Sequence, residues 1–162
     1  MFKLLFCIVI LAGIAVQENA VEASKFAQLC SSNPFNTVRG CDRKGCGYYG
    51  ASRGSRSHRG VDITCNPGST VYAPFDGTIV GRYWPFPNNY HAFNNGLRIQ
   101  GTGNFKGFRA RICFFSPTVY GGTISRGTAL GISRRLPYRR ITQHVHLQLY
   151  RGGKIVDPTP YL

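Results

Sequence analysis

The chain has 162 residues, of which 20 are Lys or Arg and six are Asp or Glu, giving a net charge of +14 at pH 7. Its only glutamates, Glu18 and Glu22, lie near the start, and the acids beyond them are Asp42, Asp62, Asp76 and Asp157. That distribution excludes mechanisms that need a glutamate base, including the His-Glu-x-x-His helix of common metalloproteases. It also implies attraction to polyanions such as sulfated glycans, bacterial envelopes or nucleic acid.

The first element is an export signal. Lys3 gives a short basic start, Leu4 to Val16 is a nearly unbroken apolar run, and Val21 and Ala23 suit the positions before a cleavage site. The run is shorter than the roughly 20 apolar residues of a membrane span, so residues 1–23 are read as a secretory signal peptide and residues 24–162 as a single secreted domain. For an exported chain, nucleic acid is not the expected physiological partner.

Next comes a cysteine-rich stretch. Cys30, Cys41, Cys46 and Cys65 follow the signal, while Cys113 stands apart. In an exported chain the first four read as two disulfides that staple a loop-rich segment, and spacing leaves three pairings open. Zinc–thiolate binding is the rival, but no Cys-x-x-Cys pair occurs. Cys113, between Ile112 and Phe114, reads as a free thiol inside a strand, where it behaves as a small hydrophobe.

Glycine and proline, 20 and nine in number, interrupt every helical period, and short β-type runs recur instead. Gly60 to Cys65 leads into a strand. Thr70 to Ala73 and Gly77 to Gly81 flank Asp76-Gly77, which signals a tight turn between paired strands. Gly96 to Gln100 and Phe108 to Phe115 form a further pair across a glycine-rich connection, and Ile124 to Ile132 repeats the turn-and-strand pattern. Between Phe86 and Gly96 a polar, aromatic loop carries His91. Arginines cluster at Arg53, Arg56 and Arg59, at Arg109 and Arg111, and at Arg134, Arg135, Arg139 and Arg140; such clusters are usually solvated faces. Gln143 to Tyr150 is a clean alternating strand. The predicted domain is all-β and mainly antiparallel.

Two clusters carry the chemistry. His58-Arg-Gly-Val-Asp62 and His144-Val-His146 hold three of the chain's four histidines. A catalytic zinc site uses three nitrogen, oxygen or sulfur ligands and keeps a fourth position open. Here His58, Asp62 and one histidine of the pair can supply three ligands and leave the other to handle protons. Side chains alternate along a strand, so His144, His146, Gln148 and Tyr150 share one face, while Val145, Leu147 and Leu149 face the core. Gly60 disfavours a helix, so His58 and Asp62 converge by bending of the chain.

His58-x-x-x-Asp62, Gly68-Ser-Thr-Val-Tyr-Ala-Pro-Phe-Asp-Gly77, Arg126-Gly-Thr-Ala-Leu-Gly131, His144-x-His146 and Asp157-Pro-Thr-Pro-Tyr-Leu162 run in the order found in lysostaphin-type zinc metallopeptidases. Those enzymes cut peptide bridges of bacterial peptidoglycan on a lysostaphin-like, duplicated hybrid motif fold. The resemblance implies one zinc ion held by His58, Asp62 and His146, with His144 as a catalytic histidine if the chain is active. Upstream, Cys41-Asp-Arg-Lys-Gly-Cys46-Gly-Tyr-Tyr and Cys65, together with Asn94-Asn-Gly96, resemble the leukocyte cell-derived chemotaxin 2 family, a secreted animal branch of that superfamily. This implies bridges Cys41–Cys46 and Cys30–Cys65. The family's third bridge has no counterpart, because no cysteine follows Cys113.

One departure concerns catalysis. Active lysostaphin-type enzymes carry a further histidine in a Tyr-x-His-Leu stretch, and the corresponding run here is Ile112-Cys-Phe-Phe-Ser-Pro117, with no histidine between His91 and His144. Losing one oxyanion donor costs about 10²–10³ in rate. The resemblance therefore implies a secreted, zinc-binding chemotactic or immune signalling protein without efficient proteolysis, whose partner is a cell-surface receptor. The alternatives are a zinc-dependent endopeptidase acting on bacterial peptidoglycan, or a cationic module binding sulfated glycan, lipopolysaccharide or another bacterial envelope polyanion. A further open reading is that His91 swings in to replace the missing histidine.

Overall fold

The alternation of apolar and polar residues in the runs above is realised as twelve short strands in a computed structural model that describes residues 25–87 and 91–162. The expected signal peptide lies outside the described residues. In chain order the strands are β1 (Cys41–Asp42), β2 (Gly45–Cys46), β3 (Val61–Thr64), β4 (Thr70–Tyr72), β5 (Gly77–Arg82), β6 (Gly96–Gly101), β7 (Phe108–Cys113), β8 (Phe115–Pro117), β9 (Gly122–Ile124), β10 (Ala129–Ser133), β11 (His144–Arg151) and β12 (Lys154–Val156). Two 3-10 turns, Gly103–Phe105 and Thr159–Tyr161, complete the assignment.

The large sheet has the order β12-β11-β7-β6-β5-β9, and β3 pairs with β11 beside it. A small sheet has the order β4-β10-β8, and β1 and β2 form a separate hairpin. Every strand pair is antiparallel. One face of the large sheet presents Val61, Ile63, Leu97, Ile99, Ala110, Ile112, Val145, Leu147 and Leu149 to a single core that also takes in Val71, Phe75, Phe115 and Leu130 from the small-sheet side. Because side chains alternate, committing these residues to the core commits their neighbours to the opposite face. Asp62 and His146, two of the metal-ligand candidates, are among those neighbours.

The tight turn expected at Asp76-Gly77 between paired strands is not what forms. β4 belongs to the small sheet and pairs with β10, whereas β5 belongs to the large sheet and pairs with β6 and β9. The reason lies in Phe75, fully buried and stacked on Phe105 at 4.6 Å between ring centroids. Burying that ring carries the chain across the core from one sheet to the other. Asp76 serves the crossing, accepting the Thr102 amide on its carbonyl and the Arg126 amide on Oδ1, both within 2.8 Å.

The N-terminal segment makes only isolated bridges to the sheets, such as Cys30 with Val71 and Val38 with Ile63, so its polar backbone groups are satisfied by scattered backbone contacts and by side chains. Buried Asn36 accepts the Leu29 amide and donates to the Ala27 carbonyl, and buried Asn33 donates to the Thr37 and Thr64 carbonyls. The disulfide Cys30–Cys65 fixes this segment to the chain just after β3, and Cys41–Cys46 closes the β1–β2 hairpin. Cross-linking stabilises mainly by restricting the unfolded chain, and the effect grows with loop length. Replacing Cys30 and Cys65, separated by 35 residues, by alanine is expected to lower the unfolding free energy by about 4 kcal/mol. The same change at Cys41 and Cys46, five residues apart, is expected to cost about 2 kcal/mol. Urea denaturation of the two variants measures both, and equal losses would contradict the loop-length argument.

Candidate metal centre

Strand register brings the two motifs together. His146 on β11 lies directly opposite Asp62 on β3, and side chains of opposed residues on one face lie within contact distance. His146 Nδ1 is 2.8 Å from Asp62 Oδ1. His58 arrives from a loop that folds back on itself: its amide donates to the Ala51 carbonyl, its carbonyl accepts the Gly50 amide, and its Nδ1 donates to the Tyr48 carbonyl at 2.9 Å. A carbonyl can only accept, so Nδ1 carries the proton and the Nε2 lone pair faces the site. That Nε2 is 3.1 Å from His146 Nδ1 and 3.2 Å from Asp62 Oδ1.

Three ligand atoms therefore form a triangle with sides near 3 Å, and these residues could hold a metal ion. A tetrahedral ion with bonds of about 2.0–2.1 Å spaces its ligand atoms about 3.3 Å apart, so a small relaxation seats one. The fourth nearby group is His144. Its Nδ1 donates to the Thr142 carbonyl at 2.6 Å, which leaves the Nε2 lone pair facing the cluster, 3.6 Å from Asp62 Oδ1. His144 is thus a proton acceptor beside the triangle rather than one of its corners.

The other oxygen of Asp62 has its own partners. Arg39, whose side chain is 2 % exposed, donates to Asp62 Oδ2 from Nε and Nη2, both at 3.0 Å. Its Nη1 reaches Asp42 at 3.0 Å and the Gly45 carbonyl at 2.7 Å. Arg53 adds a contact to the same Oδ2 at 3.4 Å and bonds the Cys46 carbonyl. The guanidinium of Arg39 therefore ties the disulfide hairpin β1–β2 to the Asp62 carboxylate. Burial alone would raise the Asp62 pKa, but in the metal-free protein, where the imidazole nitrogens facing the carboxylate can carry protons, hydrogen bonds from His146 and His58 and the charges of His146 and His144 outweigh it and hold the carboxyl well below the usual range. Burial pushes the His144 pKa down, a shift that the Asp62 charge and the Thr142 carbonyl only partly oppose.

Two glycines make room for this arrangement. A Cβ at Gly60 would lie 2.8 Å from His146 Cε1 and 3.0 Å from Nε2, so a side chain there would push the ligand ring aside. A Cβ at Gly47 would collide with Arg39 and come within 3.3 Å of the Asp62 Cβ.

Beyond the triangle the site opens into a cleft of about 380 Å³. Lys44, Arg53 and Arg56 are among its lining residues, and Tyr83, Phe86, Phe114 and Tyr138 contribute aromatic surface. Phe114 follows β7 at φ 75°, a left-handed conformation that costs a bulky residue on the order of 1 kcal/mol or more. It is held there by its amide on the Asn95 carbonyl and by the Arg134 amide on its own carbonyl. Its ring stands edge-on to His144 at 5.5 Å and lies 6.1 Å from that of His146. His91 does not line the cleft; it stacks on Phe93 at 5.8 Å. Cys113 is a free, fully buried thiol on the same sheet face, covered by Phe93, Phe114 and Leu136. Burial pushes its pKa well up, so it stays protonated.

Sequence spacing singled out His58, Asp62, His144 and His146 as candidates but gave no signal for Arg39 or Gly47; Gly60 read only as a helix breaker, and Phe114 only as part of the run that lacks a histidine. Arg53 and Arg56, read as part of a solvated face, border the cleft.

A sequence model of peptidase family M23 matches residues 56–158. Leukocyte cell-derived chemotaxin-2 of Mus musculus is 41% identical over 155 residues, covering 94% of this chain and 97% of the mouse protein. The Bos taurus protein of the same name is 40% identical over 142 residues, covering 86% and 89%. Among solved structures, the antimicrobial peptidase lysostaphin from Staphylococcus simulans superposes with a TM-score of 0.59 at 21% identity, over 86% of this chain and 53% of that one. A zinc containing peptidase from Vibrio cholerae superposes with a TM-score of 0.51 at 21% identity, over 81% and 39%. Both structural likenesses are of fold.

Two outcomes follow for the metal-free protein. Arg39→Ala removes the guanidinium that makes two contacts to the buried Asp62 Oδ2, and urea denaturation is expected to show a loss of about 3 kcal/mol; a loss below about 1 kcal/mol would contradict the role given to Arg39. The pH dependence has one sign. Asp62 is depressed on folding, so its stabilisation is whole above about pH 4 and lost below it, and depressed His144 disfavours the folded state once the unfolded chain protonates below about pH 6.5. The denaturation midpoint should begin to fall as pH drops below about 6.5, through His144, and fall further below about pH 4, through Asp62; a profile flat from about pH 7 to pH 3 would contradict this electrostatic picture.

Proposed function

The chain belongs to peptidase family M23 and, within it, to the leukocyte cell-derived chemotaxin-2 family, and from that membership we propose that it is a secreted, zinc-binding chemotactic and immune signalling protein that keeps the peptidase architecture without efficient peptide hydrolysis. Near full-length similarity to a chemotaxin supports the signalling role, for which the partner is a cell-surface receptor. Two disulfides suit an oxidising, extracellular compartment. Two imidazoles and a carboxylate with no thiolate suit zinc.

The observation that carries the non-hydrolytic reading is Phe114. Zinc held by His58, Asp62 and His146 would supply Lewis acidity toward a carbonyl oxygen. Peptide hydrolysis also needs a proton acceptor and hydrogen-bond donors placed where negative charge develops. His144 Nε2 meets the first need. The neighbouring position facing both histidines is filled by the Phe114 ring, which donates nothing and excludes water. His91 on Phe93 does not supply the missing donor. The orientation of His144 favours the second reading, a residual zinc endopeptidase of the peptidoglycan-cutting kind.

Metal analysis paired with assays on cell walls and oligoglycine separates the two readings. Wild type is expected to carry about one zinc per chain, His58→Ala to lose it, and neither to release peptide. Leukocyte migration toward wild type and His144→Ala is expected to be equal. Zinc-dependent cleavage that His144→Ala abolishes would overturn the reading, and so would failure of wild type to attract leukocytes.

A further inference from the structure

The sheet face that carries the metal ligands continues past them. Across β6, β7 and β11 the first row of outward residues is Gly96, Cys113 and His146, the second is Arg98, Arg111 and Gln148, and the third is Gln100, Arg109 and Tyr150. The second and third rows thus set three arginines side by side, with Arg98 directly opposite Arg111. Like charges opposed across an antiparallel pair destabilise a sheet. Among the described residues no carboxylate pairs with these arginines to offset this. Of the four aspartates, Asp42 and Asp62 are engaged by Arg39 at the metal centre, Asp76 binds the Arg126 amide, and Asp157 binds the Thr159 amide. Among the described residues no salt bridge involves Arg98, Arg109 or Arg111.

The arginines are also held in place. Arg111 lies between the Tyr83 and Tyr150 rings, its guanidinium carbon 5.3 and 4.6 Å from their centroids, and its buried Nε has no hydrogen-bond partner. Both tyrosine hydroxyls turn toward Gln148 Oε1, at 3.5 and 3.3 Å, which leaves the Gln148 amide nitrogen as a donor on the same row. Arg109 Nε donates to Gln100 Oε1 at 3.2 Å. The Arg98 guanidinium lies over Gly81, where a Cβ would come within 3.1 Å of Nη2. A surface made basic only for solubility has no need to oppose two arginines and clamp one of them between aromatic rings.

We propose that this arginine-paved sheet face, beyond the metal centre, is a binding surface for a linear sulfated polysaccharide. Arginines spaced about 4.8 Å across strands and about 6.8 Å along them present planar forks to successive anionic groups, and guanidinium forks suit bidentate oxyanion recognition. Pre-ordering by Tyr83, Tyr150 and Gln100 reduces the side-chain entropy lost on binding. The two disulfides place the chain where sulfated glycans are the polyanions at hand. The surface owes nothing to zinc or to hydrolysis, so its failure and the failure of the signalling reading are separate outcomes.

The test measures binding of a heparin oligosaccharide to the mature chain at physiological salt, by calorimetry. Arg98→Gln/Arg109→Gln removes two exposed arginines from the face, and Arg135→Gln/Arg139→Gln removes two exposed charges elsewhere. The first double variant is expected to bind about tenfold or more weakly, with the control within about twofold, and desulfated oligosaccharide not to bind wild type. Arg98→Lys/Arg109→Lys keeps the charge and is expected to bind at an intermediate level, which guards against misfolding of the glutamine variant. Equal losses in the two glutamine variants would overturn the proposal, as would absence of wild-type binding. Tighter wild-type binding to single-stranded DNA or to phosphatidylserine vesicles than to the oligosaccharide would overturn it in favour of another polyanion.

Discussion

Asp62 has two oxygens, and each faces a different part of the molecule. Oδ1 completes a triangle with His58 and His146, while Oδ2 is held by Arg39 and Arg53. A carboxylate 4 % exposed could not stay charged without such partners. The same contacts make the metal centre depend on the disulfide hairpin, because Arg39 also bonds Asp42 and the Gly45 carbonyl. Asp42 in turn accepts the Thr142 amide, two residues before His144. Hairpin, carboxylate and the entrance to β11 therefore form one network, in which shifting any member moves the ligand atoms of the others.

The relation between peptidase fold and function turns on the corner after β7. That corner places a residue against His144 and His146, and here the residue is phenylalanine in a left-handed conformation. Its ring joins Phe86 and Phe93 in a small apolar cluster over Cys113. The strain at Phe114 is offset by burial of that ring and by two backbone hydrogen bonds. In the non-hydrolytic reading proposed above, a fold that retains the candidate ligands and the proton acceptor lacks the polar environment that hydrolysis needs. Fold alone does not carry activity.

Much of this was legible in the residue order, for identifiable reasons. Alternation along Gln143 to Tyr150 put His144 and His146 on one face, because the period of a strand is fixed by its backbone. The bridges Cys30–Cys65 and Cys41–Cys46 followed from family resemblance, whereas spacing alone left three pairings open. Other features had no local signature. Arg39 is one basic residue among 20, and only the fold shows that it is buried against Asp62. The Asp76-Gly77 turn was misassigned because turn propensity is local, whereas the sheet each strand joins is decided by where Phe75 is buried. Gly60 read only as a helix breaker, and its closeness to the His146 ring depends on the pairing of β3 with β11. The role of the arginines on β6 and β7 likewise emerges only from their register.

X-ray absorption at the zinc edge of the purified mature chain tests the central claim most directly, because it reports the ligand atoms themselves. A four-coordinate light-atom shell at about 2.0–2.1 Å is expected, with the outer-shell signature of two imidazoles, lost in His58→Ala. A sulfur shell at about 2.3 Å, as for thiolate ligands, or the absence of an imidazole signature, would contradict it.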